Sequence, residues 1–153
     1  MNKVGVGSGP RLSAETLDCS TVAKDGRAIL VTGPSGSGKS DLTLRLIDRG
    51  FTLVSDDQTI IKKQGDWLIA SAPPTIAGKL EIRGIGIVDM ERIDNVPVAL
   101  LVELTGEFAR MPDDSRERPI LGVKLPLVTI DAMTASAPSK VGIAFDRMGL
   151  KAK

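Results

Sequence analysis

Gly33-Pro34-Ser35-Gly36-Ser37-Gly38-Lys39-Ser40 fits the pattern G-x-x-x-x-G-K-[ST], and its flanks decide how it folds. Before it, Ala28-Ile29-Leu30-Val31-Thr32 is a short β-rich run. After it, residues 40–48 put Leu42, Leu46 and Ile47 on one helical face, with Asp41 one turn ahead of Arg45. The order is strand, loop, helix, and the octapeptide reads as a phosphate-binding loop. In that setting Gly36 and Gly38 let backbone N–H groups converge on phosphate oxygens, and the helix start adds the positive end of its dipole. Lys39 reaches the outer phosphates and Ser40 offers a hydroxyl to Mg²⁺. The competing reading is a Gly/Ser-rich surface turn, but such a turn needs no Lys-Ser pair at a helix start.

The 153 residues have the length of one domain, able to bury roughly two thirds of the unfolded surface in one core. Residues 1–11 are Gly-rich and aperiodic and read as a flexible lead-in, leaving 12–153 as the folded domain. Lys and Arg number 20 against 19 acidic residues, a net charge of +1 that gives no electrostatic reason to expect nucleic acid or an acidic membrane as partner. No segment approaches the roughly 18 consecutive apolar residues of a membrane span, and no signal pattern opens the chain. The lone Cys19 excludes an intramolecular disulfide and reads as a small semi-buried residue of a cytoplasmic protein. There is no histidine and no tyrosine. That removes the usual general base near neutral pH, the Ser-His-Asp and Cys-His mechanisms and a His-based metal site, so acid–base work falls to carboxylates.

Gly50 reads as a helix C-cap, followed by Phe51-Thr52-Leu53-Val54 as a second strand, which gives a βαβ unit. Ile60-Ile61 and Trp67-Leu68-Ile69-Ala70 flank a turn-rich spacer at 62–66 and predict an antiparallel hairpin added to the sheet, and Ala72-Pro73-Pro74 must be extended. Val96–Leu104 is a longer apolar run, residues 111–119 read as a mobile loop and Val123–Ile130 as a further strand. Ser136-Ala137-Pro138 starts a helix with Val141, Phe145 and Met148 on its buried face.

In a right-handed βαβ unit the two strands are parallel and their carboxyl ends share one sheet edge, which brings Asp56 and Asp57 near Lys39 and Ser40. There one carboxylate can hold Mg²⁺ and the other accept a proton from an attacking hydroxyl. Taken alone, an Asp-Asp pair caps a turn about as often. A further constellation is Leu80-Glu81-Ile82-Arg83-Gly84-Ile85-Gly86, where Glu81 and Arg83 share a face if the backbone is extended. By spacing alone a solvated Glu/Arg pair on a strand edge is the better reading.

The loop, Val54-Ser55-Asp56-Asp57, Ala72-Pro73-Pro74 and Leu80-Glu81-Ile82-Arg83-Gly84-Ile85-Gly86 together resemble HPr kinase/phosphorylase, over about residues 18–148. The resemblance is to a short form with the C-terminal catalytic domain only. It implies an α/β, P-loop-containing single domain similar to the phosphoenolpyruvate carboxykinase-like fold, a mixed sheet with flanking helices. The implied activity is ATP- and Mg²⁺-dependent phosphorylation of a serine on the phosphocarrier HPr in the bacterial phosphotransferase system. Inorganic phosphate removes the group again by phosphorolysis, giving pyrophosphate, and the implied assembly is a homo-oligomer, a hexamer by the family's habit. Carried over by position, Lys39 contacts the nucleotide phosphates, Ser40 and Glu81 serve Mg²⁺, and Asp57 is the proton acceptor in phosphorylation and donor in reverse. Asp56 supports the same site. Arg110, in Glu107-Phe108-Ala109-Arg110-Met111, resembles a functional arginine of a mobile loop, and Arg83 joins the catalytic set through its motif. Residues 135–142 loosely resemble the stretch linked to dephosphorylation.

The chain departs from the family pattern at Asp18, where a catalytic-site histidine ordinarily precedes Ser20-Thr21-Val22-Ala23. An anion there repels bound phosphates, so phosphorolysis is expected to be the weaker direction. Two other functions fit the loop, a P-loop kinase of a small metabolite and a nucleotide-sensing module with reduced catalysis; intact Asp57 and Glu81 argue against the second.

Overall fold

The computed structural model describes residues 13–105 and 116–151. Its spine is β3 (Arg27–Thr32), with β9 (Val96–Leu104) parallel to it and β11 (Val123–Ile130) parallel to the far side of β9. Both faces of these strands are covered, which is why they read as nearly continuous apolar runs. On the other side of β3 lies β2 (Cys19–Lys24), antiparallel to it, and then β4 (Thr52–Ser55), antiparallel to β2. The expected βαβ neighbours are therefore not neighbours: β2 is inserted between β3 and β4. Two antiparallel steps still leave β3 and β4 running in the same direction, so their carboxyl ends share one edge.

An antiparallel wing of β1 (Ala14–Leu17), β5 (Thr59–Gln64) and β6 (Trp67–Ser71) joins the start of β9 through Ile69 opposite Pro97. The β5–β6 hairpin matches its expectation with a tighter turn, because Gln64 already pairs with Trp67. Ala72 leaves the wing and the chain soon reverses, with the Ile76 N–H on the Pro73 carbonyl at 3.1 Å. β7 (Lys79–Ile82) and β8 (Gly86–Asp89) form a separate two-stranded ribbon. β10 (Glu117–Ile120) folds back on β11 through a two-residue turn at Leu121-Gly122, both at positive φ. Residues 117–119 are thus strand, which corrects their assignment to a loop. Residues 111–115 of that expected loop lie outside the described residues, as does the lead-in at 1–11.

Helix α1 (Lys39–Ile47) buries Leu42 and Leu46 completely, each contributing about 1.5–3 kcal/mol relative to exposure. It ends as its sequence predicts. The Gly50 N–H reaches the Ile47 carbonyl and the Phe51 N–H the Leu46 carbonyl, with Gly50 at φ 100°, a geometry only glycine adopts cheaply. Asp41 and Arg45 pair at 3.0 Å across one turn. Helix α2 (Ala137–Met148) starts after Ser136 and lays Val141 and Phe145 beside α1, with the Phe145 ring 5.6 Å from that of Phe51. The helices cover one face of the spine, over Val22, Ile29, Val31, Leu100 and Val102. The wing and β10–β11 enclose the other face, over Leu30, Val54, Ile61, Leu68, Leu101 and Leu125. No helix among the described residues is long and apolar enough to cross a membrane.

Candidate functional site

The loop bridges β3 and α1 at the carboxyl edge of the sheet. Gly33 approaches its surroundings so closely that a Cβ there would lie 2.6 Å from Ser37 Oγ and 3.0 Å from Leu104 Cβ. Gly38 is the α1 N-cap at φ 99°, with no side chain to cap the helix. The first-turn amides thus keep their capacity for an external anion. The Ser37 hydroxyl is buried and without a hydrogen-bond partner among the described residues. A buried polar group left in this state costs about 1–3 kcal/mol, the signature of a group set for a ligand. Lys39 curls over the loop, its Nζ donating to the Gly33 carbonyl at 2.9 Å and the Pro34 carbonyl at 3.3 Å. Pro34, Ser35 and Gly36 form the exposed crest, closed by the Ser37 N–H on the Pro34 carbonyl at 3.0 Å.

Beyond β4 the two aspartates part company. Asp56 is buried, and its Oδ1 accepts from Ser40 Oγ at 2.7 Å and Ser20 Oγ at 2.9 Å, while its Oδ2 accepts the Glu81 N–H at 3.2 Å. One carboxylate thereby fixes the helix start, strand β2 and ribbon strand β7. Asp57 is exposed at φ 71°, and the Gln58 N–H on the Asp56 carbonyl at 2.8 Å closes a three-residue γ-turn around it. Positive φ in such a turn costs a non-glycine residue on the order of 1–3 kcal/mol. Two bonds hold it there: the Asp57 N–H on Ser20 Oγ at 3.1 Å, and Ser55 Oγ on the Gln58 carbonyl.

Glu81 lies on β7 with its side chain exposed and its amide on Asp56. β7 ends at Ile82, and the Ile85 N–H on the Ile82 carbonyl closes a turn that contains Arg83. The backbone is not extended past Ile82, so Glu81 and Arg83 do not share a strand face; Gly84, at φ 88°, sits in that turn. Arg110 lies outside the described residues. The 135–142 stretch forms the approach to α2 and its first turns. Cys19 is fully buried rather than semi-buried, and burial pushes its thiol pKa up against the opposing pull of the Thr59 and Thr21 hydroxyls. It stays protonated and is no nucleophile.

The same edge carries a cleft of about 640 Å³ that sequence reading missed. Asp18, Glu103, Arg116 and Arg118 line it, with Thr32, Thr129 and the loop's own Gly33 and Pro34. Thr32, Glu103 and Thr129 stand side by side in register across β3, β9 and β11. Glu103 pairs with Arg118 at 2.6 Å and Arg116 at 3.5 Å, and Arg116 also donates to Thr129 Oγ1 at 2.6 Å. Asp18 is exposed in the bend before β2 and accepts from the Gln58 side-chain amide. A sequence signal for this cleft exists: Glu103 is the single charge in the otherwise apolar stretch Val96–Leu104. Ser20 gave no comparable signal, since nothing in Cys-Ser-Thr-Val-Ala distinguishes it from a surface serine.

Comparison with known proteins places this arrangement. The family model described as HPr Serine kinase C-terminal domain matches residues 13–144. The chain belongs to that family. Among curated relatives, the HPr kinase/phosphorylase of Ralstonia nicotianae is 36% identical over 134 residues, covering 78% of this chain and 41% of the relative. That of Burkholderia cenocepacia is 38% identical over 117 residues, covering 69% and 36%. The chain thus spans about two fifths of the length of the curated relatives it matches. The solved HPr(Ser) kinase/phosphatase of Coxiella burnetii superposes with a TM-score of 0.75 at 30% identity, covering 86% of this chain and 94% of that one. The family's architecture here is a mixed α/β fold, a curled sheet with two helices on one face.

Proposed function

We propose that the chain is the catalytic domain of an ATP- and Mg²⁺-dependent protein-serine kinase whose acceptor is an HPr-type phosphocarrier, with phosphorolysis as the reverse activity, on a phosphoenolpyruvate carboxykinase-like P-loop fold in the cytoplasm. The observation that carries this reading is a strained, exposed Asp57 held beside a Ser40–Asp56 pair at the end of the glycine loop. Strain maintained by dedicated hydrogen bonds is concentrated at functional positions.

The fit of Mg²⁺ rests on donor chemistry. Mg²⁺ keeps several waters and takes one or two carboxylates plus phosphate oxygens, so it needs no all-protein cage. Ser40 Oγ and the Asp56 carboxylate, 2.7 Å apart, together with the Glu81 carboxylate, are the residues that would hold it. When bound, it supplies charge neutralisation at the transferring phosphoryl group. The chain's own residues do the rest. The amides at 36–40, the Ser37 hydroxyl and Lys39 hold the nucleotide phosphates, Lys39 exchanging its loop carbonyls for phosphate oxygens. Asp57 accepts the proton of the acceptor serine hydroxyl as that oxygen bonds to the γ-phosphorus and the bond to the bridging oxygen of ADP breaks. In reverse, phosphate attacks the seryl phosphorus, the seryl oxygen leaves with the proton from Asp57, and pyrophosphate forms. Arg83 and Arg110 complete the catalytic set by motif, and a homo-oligomer, a hexamer by family habit, completes the assembly.

Incubating the protein with ATP, Mg²⁺ and purified HPr and weighing HPr by mass spectrometry tests this. A gain of one phosphoryl group on a serine is the expected result. ATP consumption with a small hydroxylated metabolite but not with HPr, or ATP binding without transfer, would overturn it.

A further inference from the structure

The mechanism above gives the phosphates of the nucleotide their partners and leaves its base without one. We propose that the turn at 131–134, with Met133 at its tip, is the nucleoside subsite, and that the Met133 thioether takes one face of the purine ring of the nucleotide whose phosphates occupy the loop. The inference rests on the ATP-dependent kinase reading and adds a substrate-binding residue to it.

The sheet decides on which side the base must lie. Across its carboxyl edge the strands stand in the order β4, β2, β3, β9 and β11. Asp56 and Asp57 follow β4, the loop follows β3, and the 131–134 turn follows β11. Asp57 acts at the oxygen that attacks the γ-phosphorus, so the γ-phosphate end lies toward β4. The nucleoside is at the other end of the phosphate chain and leaves the loop toward β11. Helix α1 shows the same two sides. Ser40 turns to Asp56, whereas Gly38 and Arg45, two turns apart on one face, meet the 131–134 segment. The faces of the sheet agree. Ser20 shares the parity of Val22, and Ala132 packs in the same helix-side core, so the turn and the Asp56 cluster lie on one face. Thr32, Glu103 and Thr129 share the parity of Leu30, Leu101 and Leu127 in the wing-side core, so the Glu103 cleft opens on the opposite face.

Met133 is apolar and yet 76% exposed. A single exposed apolar residue ordinarily needs no explanation, but this one is held out by a fixed backbone. Arg45 donates to the Ala132 carbonyl and, at 3.3 Å, to the Thr134 carbonyl, and pairs with Asp41 on its own helix. The Met133 N–H reaches Asp131 Oδ1 at 2.9 Å, Thr134 Oγ1 donates to the Asp131 carbonyl at 3.0 Å, and Ala132 is buried. Gly38 lets this platform close on the loop, since a Cβ there would lie 3.2 Å from Ala132 Cβ and 3.9 Å from Met133 Cε. The Met133 methyl therefore stands beside the N-cap of α1, next to the amides that receive the phosphates, with most of the side chain open to solvent. A polarizable thioether in that place favours an aromatic ring, and it contacts the ring without reading its hydrogen-bonding edge.

The test is calorimetric titration of MgATP, and of magnesium tripolyphosphate, which has the phosphates and no nucleoside, into the parent and Met133→Ala. The side chain is exposed, so its truncation should leave the fold intact, and an unchanged far-UV spectrum checks this. Loss of one thioether–ring contact should weaken MgATP binding about two- to tenfold and leave tripolyphosphate binding as it was. Met133→Trp supplies a second readout: its added indole should be quenched by MgATP and not by tripolyphosphate, against a parent whose one tryptophan, Trp67, lies on β6 in the wing. MgATP affinity unchanged in Met133→Ala, equal weakening of both probes, or no ATP-specific quenching in Met133→Trp would overturn the subsite. Lys39→Ala tests the loop separately and should weaken both probes alike; if it weakens neither, the loop reading fails whatever Met133 does.

Discussion

The Asp56 cluster and the Glu103 cleft meet the loop at its two ends, Ser40 and Gly33, on opposite faces of one sheet edge, and their carboxylates are used in opposite ways. Asp56 is buried and receives two hydroxyls and an amide, all neutral donors of the fold itself. Glu103 is about one third exposed and receives two cations. A buried carboxylate satisfied by neutral donors is a rivet: it fixes geometry, and its removal exposes several unpaired groups at once. A half-exposed carboxylate between arginines sets their spacing while water screens the attraction, so it contributes little to stability. One region positions the chemistry and the other presents charge to whatever enters.

The largest expected effect lies on the rigid side. Asp57→Asn tolerates positive φ and is nearly isosteric, yet it removes the proton acceptor, so single-turnover transfer to HPr should fall by on the order of 10²–10⁴ while ATP affinity is kept. Transfer at the parent rate would move the role to another residue. Asp57→Gly sharpens the point: it should be as inactive but lose the strain at φ 71°, leaving thermal stability unchanged or up to about 1 kcal/mol higher.

Next comes the pair of carboxylates themselves. Asp56→Ala leaves Ser20, Ser40 and the Glu81 amide without their acceptor and should destabilise by about 3 kcal/mol or more, a fall of roughly 10 °C in Tm for a domain of this size. Glu103→Gln should cost under about 1 kcal/mol. Denaturant midpoints of the two variants check this, and equal losses would erase the distinction between rivet and charge-setter. Lys39→Ala acts at the loop between them. It should weaken ATP binding by about ten- to a hundredfold, from about 1.5–3 kcal/mol of charge-assisted contact, with a native far-UV spectrum. An unchanged calorimetric affinity would remove the loop from nucleotide binding.

What was legible in the sequence follows the same division. The loop, both helices and β3, β4, β5, β6, β9 and β11 carry local signals, glycine turns, helical spacing and apolar runs, and the structure matches them to within about three residues. β2 was not legible because it is buried on both faces with polar residues: Ser20 turns to Asp56 and Thr21 to Thr59, so no alternation shows. Missing it made β3 and β4 direct neighbours. Their shared direction survived the error, and with it the placement of Asp56 and Asp57. The cleft was lost because its arginines fell in a segment read as loop, although Gly122 before a β-rich run marks the two-residue turn that makes 117–120 a strand. Arg83 shares a face with Glu81 only on an extended backbone, and the turn through Gly84 breaks that condition.

The smallest effect belongs to Asp18, and here the structure revises the expectation. The sequence alone sets a bare anion against incoming phosphate and makes phosphorolysis the weaker direction. Asp18 is in fact exposed, bonded to the Gln58 amide, and shares its cleft with Arg116 and Arg118. Water and two cations leave it little more than a surface charge, and replacing it should raise the phosphorolysis rate only about two- to fivefold. Asp18→Asn separates the two ways this gain can arise. If lost repulsion is the cause, Asn and His give the same increase, and it shrinks as salt rises toward 0.5 M or so, where the screening length is under about 5 Å. An increase with His alone, independent of salt, would mean that an imidazole does chemistry there which this chain lacks. A rate that falls in both variants would mean that Asp18 orders Gln58, and through it the γ-turn that holds Asp57.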